Sequence, residues 1–219
     1  MRVKVTVLFV VAALSCLSSF AQSSEEVARL FQKLEGTISV GPHRETADGV
    51  LRSCGLEFVA MKRDFGTKQG SPTKIVGSFY LRPDDKNGLV YILKLGVFDD
   101  YPFDKAIAPN NAFISAPNGR IPSKATRVGG ENPGFALFIG GLDEAVLAAY
   151  KAIIEKKNLA VGFNRQPGLQ DVVFLIDLTV VDTQMKNDGE VVRRRSGEPV
   201  EIFAACAADM LKKTKIPAR

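Results

Sequence analysis

Alternation of apolar and polar residues predicts a long strand in the first third of the chain. Across residues 51–62 the even positions are mostly apolar, which is the period of a strand with one buried face. Because Cys54 belongs to this apolar face, we expect its side chain to point towards the core. The apolar face consists of Cys54, Leu56, Phe58 and Ala60.

Two further apolar runs, residues 75–81 and 89–98, predict the strands of a β-hairpin. The segment between them ends in Asn87-Gly88, a pair that favours the tight turn of a hairpin. Shorter apolar or alternating patterns predict additional strands at residues 112–115, 135–139 and 159–163.

Residues 172–181 are almost continuously apolar, which predicts a strand that is buried on both faces in the middle of a sheet. The Lys-Asn-Asp-Gly sequence at residues 186–189 is typical of a hairpin turn. Residues 189–194 are therefore expected to return as a strand beside residues 172–181.

Two segments lack a sustained period. Residues 37–48 contain Gly41 and Pro42, which predicts a loop or a brief edge strand. Residues 99–134 carry five prolines and form the least regular stretch of the chain. Because long irregular segments in compact domains are often functional, we expect residues 99–134 to contact a partner.

Apolar residues spaced three and four apart predict three helices. The first follows Ser23, which forms a capping box with Glu26. The second spans residues 142–157, and the third begins at Pro199. Cys206 flanks the apolar stripe of the third helix, so its side chain is also expected to face the core.

The order of these elements predicts an α+β fold. Strands and helices do not alternate regularly, so a mainly antiparallel sheet with an N-terminal, a central and a C-terminal helix fits better than a doubly wound sheet. Neither flank of residues 99–134 has enough strands for a core of its own, which favours a single domain. The alternative is a domain boundary inside that segment.

The first 21 residues have the three regions of a secretory signal peptide. Arg2 and Lys4 precede an apolar stretch at residues 5–17, and a small-x-small triplet ends at Ala21. We expect cleavage after Ala21, which leaves residues 22–219 as an exported domain, periplasmic or extracellular.

Two alternatives apply to this leader. A membrane anchor is disfavoured because the apolar stretch is shorter than the ~20 residues that span a bilayer. Acylation of Cys16 is disfavoured because Leu14 lies one place later than in the usual lipoprotein signal. We therefore expect no transmembrane segment after the signal is removed.

Removal of the leader leaves two cysteines, Cys54 and Cys206, in a compartment that permits disulfides. Since both are expected to face the core, we predict that they form a disulfide; two buried free thiols are the alternative. The chain has 29 Lys and Arg against 24 Asp and Glu, an excess too small to predict a nucleic-acid partner.

No catalytic or cofactor motif stands out. His43 is the only histidine, and no Gly-x-Ser-x-Gly elbow supplies a nucleophile. One histidine and two paired cysteines predict no zinc site. Glycine-rich phrases at residues 128–134 and 139–141 lack the spacing of phosphate-binding or dinucleotide-binding loops, so no cofactor is expected.

Two charged clusters are candidate contacts. The run of Arg193, Arg194 and Arg195 is suited to an anion or an acidic partner, and a solvated strand end is the alternative. Asp99, Asp100 and Asp104 form a weaker acidic-loop candidate for calcium binding or carboxylate catalysis, with a solvated loop as the alternative.

These features predict an exported, disulfide-stabilised protein of the bacterial envelope, of binding or accessory type rather than an enzyme. Its predicted partner is an envelope protein or an anionic surface component. The alternatives are a carboxylate-dependent hydrolase acting on an envelope polymer and a structural or stress-related envelope component.

Overall fold

A computed structural model describes residues 26–85, 88–99, 101–118, 122–130 and 132–213. The predicted signal peptide, Cys16 and Asp100 lie outside these ranges. The described chain forms three helices and eleven strands in antiparallel ladders, which confirms the predicted α+β fold with a mainly antiparallel sheet. No helix in these ranges is both long enough and apolar enough to cross a bilayer.

The elements are numbered in chain order. The helices are α1 (residues 26–34), α2 (Glu144–Lys156) and α3 (Glu198–Lys213). The strands are β1 (Gly36–Ala47), β2 (Val50–Asp64), β3 (Ser71–Asp84), β4 (Gly88–Phe98), β5 (Asn111–Ser115), β6 (Thr126–Gly129), β7 (Ala136–Gly141), β8 (Asn158–Asn164), β9 (Val172–Asp177), β10 (Val180–Met185) and β11 (Val191–Arg195).

The largest sheet has six strands in the order β1-β2-β3-β4-β7-β6. The predicted hairpin is present as β3 and β4, and the apolar face of β2 points inwards as expected. The segment predicted as a loop or a brief edge strand is the 12-residue strand β1. Pro42 is tolerated there because β1 lies at the edge of the sheet, where a missing N–H interrupts no second ladder.

The second sheet has three strands in the order β5-β8-β9, and it corrects the prediction for residues 172–181. The chain turns after β9 because Thr179 donates hydrogen bonds from its backbone N and its Oγ1 to Asp177 Oδ1. The run is therefore two strands, and β8 takes the middle position. As an edge strand with one open face, β9 leaves Val173 and Leu175 43% and 57% exposed.

The core lies between the six-stranded sheet and the other elements. Helix α3 packs on β1 and β2, and α2 packs on β5 and β8. The rings of Phe203 in α3 and Phe79 in β3 have centroids 6.0 Å apart. We call the side of the six-stranded sheet that faces this core its inner face, and the opposite side its outer face.

The predicted hairpin at residues 186–189 is present as the two-stranded ribbon β10-β11. The ribbon lies beside the edge strand β1, where Thr183 Oγ1 donates a hydrogen bond to the backbone oxygen of Ile38. One margin of the six-stranded sheet is therefore covered by the ribbon.

The described part of residues 99–134 is more regular than the sequence predicts. It contains the predicted strand β5 and the unpredicted strand β6, and Ile107 pairs with Val97 of β4. The ring of Tyr101 packs edge-on against Phe31 of α1, with centroids 5.7 Å apart. This segment is thus tied to the sheet and to α1 along its length.

Candidate functional site

A groove of about 490 Å³ crosses the outer face of the six-stranded sheet. It runs across β1, β2, β3 and β4, between Val181 of β10 at one end and Phe135 at the other. We call it the outer-face groove. It is lined by Ser39, Val40, Gly41, Glu57, Phe58, Val59, Val76, Gly77, Ser78, Lys94, Phe135 and Val181.

Small residues keep the floor of this groove low. A Cβ atom placed on Gly41 would meet no atom within 4 Å, so the floor is open above this residue. Phe135 forms the end wall because its ring lies over Gly96, where a Cβ atom would approach the ring to 2.6 Å. Gly96 is therefore required for Phe135 to lie against the sheet.

Two residues of opposite charge, Glu57 and Lys94, lie in the same row of cross-strand neighbours on the groove floor. Glu57, Ser78 and Lys94 are register partners on β2, β3 and β4, so the Cα atoms of the two charged residues are about 10 Å apart. Their side chains lean in opposite directions. Glu57 Oε1 lies 3.1 Å from His43 Nδ1, and Lys94 Nζ lies 5.5 Å from the ring centroid of Phe135.

Ser78 consequently lies between two charges that do not meet. Within the described residues Lys94 makes no ion pair, and its ammonium lies over the ring of Phe135. The groove thus offers the exposed ammonium of Lys94, the carboxylate of Glu57 beside His43, and hydroxyl and apolar groups between them.

His43 belongs to a hydrogen-bonded row that has the residue types of a hydrolase triad. Its Nε2 lies 3.1 Å from Ser53 Oγ, and its Nδ1 contacts Glu57. The sequence singled out His43 but not Ser53, because no elbow motif marks the serine. Their meeting depends on the pairing of β1 with β2, and residues 37–48 were expected to be a loop or a brief edge strand.

Two observations distinguish this row from a working triad. Ser53 is fully buried, so its oxygen is not presented to a substrate. It also donates its single hydrogen to Glu45 Oε2 at 3.2 Å, so it accepts from His43 instead of donating to it. A catalytic serine donates to the histidine, so this row orients the His43 ring at the rim of the groove.

A second charged cluster closes one end of the fold, and we call it the Arg165 cluster. The guanidinium of Arg165 contacts Asp64 Oδ2 at 2.8 Å and Asp99 Oδ1 and Oδ2 at 2.5 and 2.8 Å. Thr67 and Thr73 accept further bonds from it. These groups come from the β2–β3 turn, β3, the end of β4 and the end of β8, so the cluster fastens the two sheets together.

The carboxylates of the Arg165 cluster are buried but remain acidic. Burial alone would raise the pKa of Asp64 and Asp99, but hydrogen bonds and the charge of Arg165 outweigh it and hold both pKa values below the ordinary 3.8. Burial would lower the pKa of Arg165, and the two carboxylates instead raise it. All three groups therefore stay charged at neutral pH.

Of the predicted acidic loop, the structure describes Asp99 and Asp104. Asp99 is 3% exposed and points into the Arg165 cluster, whereas Asp104 is exposed. Asp100 lies outside the described residues. The carboxylate of Asp99 is therefore engaged by the protein itself.

The three arginines of β11 have different surroundings. Arg193 donates to the backbone oxygens of Lys33, Glu35 and Thr37, and so joins β11 to the junction of α1 and β1. Arg195 pairs with Asp177. Arg194 is exposed, so the predicted anion or partner contact rests mainly on this residue.

The predicted disulfide between Cys54 and Cys206 is present and joins β2 to α3 across the core. The Cα atoms are 5.8 Å apart, and both residues are buried. Within the described ranges, no three His, Cys, Asp or Glu residues converge as a set of metal ligands.

No protein-family model matches this chain. No curated protein and no solved structure gives a significant match either.

Proposed function

We propose that this protein is an exported, disulfide-stabilised binding or accessory protein of the bacterial envelope, and that it binds its partner in the outer-face groove. The observation that carries this proposal is the groove itself. It crosses a sheet face that α2, α3 and the second sheet leave open, and it holds an exposed lysine that forms no ion pair with any residue the structure describes.

The export part of the proposal is supported by the leader sequence and by the disulfide. The first 21 residues have the pattern of a signal peptide, and a disulfide that joins distant parts of a fold persists in oxidising compartments. We propose that cleavage near Ala21 releases a single domain of residues 22–219 into the periplasm or the medium.

The binding part is favoured over catalysis by the state of the reactive groups. Ser53 is buried, and Asp99 is held by Arg165, so neither is available to attack or protonate a substrate. A hydrolase would depend on Asp100 or Asp104, and a structural role would show as self-association without a ligand. The residues around the groove fit a surface that binds without reacting.

The test uses a side chain that fills the groove without disturbing the fold. Gly41→Phe places a ring in the groove, where a Cβ atom meets nothing within 4 Å. Gly129→Phe is the matched control, because it makes the same change on β6, the other edge strand, also in open space and outside the groove.

Native mass spectrometry is applied to wild type and both variants recovered from the exported fraction. We expect a chain that begins at Gln22, carries one disulfide, and retains partner mass in wild type and Gly129→Phe but not in Gly41→Phe. Equal retained mass in all three proteins would overturn the groove assignment. Homo-oligomers alone would instead support the structural alternative, and an intact leader would overturn export.

A further inference from the structure

We infer that the partner segment recognised by the outer-face groove is an extended peptide that carries a carboxylate, and that Lys94 selects this carboxylate. The inference rests on the proposed binding function and specifies the chemistry of the ligand. It is based on Lys94, whose ammonium has no ion-pair partner in the described part of the chain, and on the shape and polarity of the groove floor beside it.

The positive charge of Lys94 is available to bind an anion. Lys94 is exposed, and its Nζ lies 5.5 Å from the ring centroid of Phe135, a contact that holds the ammonium without neutralising it. Glu57, the acidic residue on the same row, leans away from Lys94, with its Oε1 3.1 Å from His43 Nδ1. A carboxylate placed above Ser78 would therefore meet the lysine and not a competing internal ion pair.

The floor is suited to an extended chain. The groove spans three strand spacings from β1 to β4, about 14 Å, which is the length of about four extended residues. Val59 and Val76 provide apolar contact, and the hydroxyls of Ser39 and Ser78 provide hydrogen bonds. The floor thus offers both apolar contact and hydrogen bonds over a length that an extended peptide can span.

The charges of the groove also favour a peptide that carries both a carboxylate and a hydrogen-bond donor or basic group. One oxygen of Glu57 contacts His43, and its side chain is 63% exposed, so the carboxylate is also open to a donor from the ligand. A segment with a carboxylate at Lys94 and a backbone N–H or a basic group towards Glu57 satisfies both ends of the row. This combination distinguishes the expected ligand from a purely anionic surface.

The test is a selection from a random nonapeptide library displayed on phage, with the full oxidised protein as target. Wild type is compared with Lys94→Glu and with Lys151→Glu, the same charge change at an exposed lysine of α2, remote from the groove. We expect wild type and Lys151→Glu to enrich Asp and Glu. Lys94→Glu should lose this enrichment or select Lys and Arg.

An enriched peptide is then measured by fluorescence anisotropy. We expect Lys94→Met to weaken binding by at least about tenfold, and Lys94→Arg to restore most of it, since a hydrogen bond to a charged group accounts for such a factor. Trigalacturonic acid, a glycan that carries carboxylates, is titrated in parallel. Tighter binding of the glycan than of the peptide, lost in Lys94→Met, would overturn the peptide assignment.

The two proposals fail in different ways. If wild type enriches no peptide, or if Lys94→Glu still enriches acidic ones, the inference about Lys94 is overturned. If enriched peptides are not acidic but still bind Gly129→Phe and not Gly41→Phe, the groove stands and only the ligand class falls. If they bind Gly41→Phe as well as wild type, the proposed binding site itself is overturned.

Discussion

Two charged regions of the molecule use their charges in opposite ways. In the Arg165 cluster, one guanidinium faces two buried carboxylates, and threonine hydroxyls complete the hydrogen bonds. In the outer-face groove, Glu57 and Lys94 lean away from each other. The paired charges of the Arg165 cluster stabilise the fold, whereas the separated charges of the outer-face groove are available to a ligand.

The largest loss of stability is expected from Arg165→Met. It removes the guanidinium that pairs with the buried carboxylates of Asp64 and Asp99, although Lys68 Nζ stays 3.7 Å from Asp99 Oδ2. Breaking such a buried pair costs about 3–5 kcal/mol of the free energy of unfolding. Denaturant unfolding followed by circular dichroism measures the loss. Arg195→Met is the matched control, since its pair with Asp177 is exposed and such pairs contribute about 0–1 kcal/mol. Similar losses in the two variants would contradict the contrast.

A smaller effect is expected from acid. The pKa values of Asp64 and Asp99 are lower in the folded state than the ordinary 3.8, so their contribution to stability is fully present above that value. It is lost as pH falls from 3.8 through the lower folded pKa values, because protonation then favours the unfolded chain. Unfolding curves between pH 5 and pH 2 would show this decline, with pH values chosen on both sides of 3.8.

The same acid series sharpens the comparison when it is repeated on Arg165→Met. Without the guanidinium, both carboxylates lose a hydrogen-bond donor and a positive charge that lower their pKa values, so the decline in acid should be smaller than in wild type. An acid decline of equal size in the variant would show that other carboxylates cause it.

The smallest effect is expected in the groove. Lys94→Met and Glu57→Gln should change the free energy of unfolding by no more than about 0.5 kcal/mol, because both side chains are exposed. The same denaturant unfolding assay checks this. A loss above about 2 kcal/mol in either variant would show that the groove charges stabilise the fold.

The sequence predicted the parts of the fold that depend on local patterns. The period of residues 51–62 placed Cys54 on the inner face, and the spacing of apolar residues placed Cys206 beside the core, so their disulfide followed. The prediction for residues 172–181 was wrong because their composition resembles that of one buried strand. The signal against this was local: Asp177 and Thr179 form a side-chain turn within the run.

The candidate site was harder to predict because it depends on register. The pairing of three strands places Glu57, Ser78 and Lys94 in one row. No sequence pattern connects these residues with Phe135. The Arg165 cluster is similar, since its members come from distant turns and strand ends. The spacing of residues along the sequence does not indicate which of them come together in the fold.

The link between Cys54 and Cys206 also determines what a protease can release from this protein. The two residues are 152 positions apart, so most of the chain lies within one covalently closed ring. A single cut anywhere inside the ring opens it without separating the pieces. The nicked molecule would migrate as one species until a reductant is added, so a single cleavage would not by itself release either fragment.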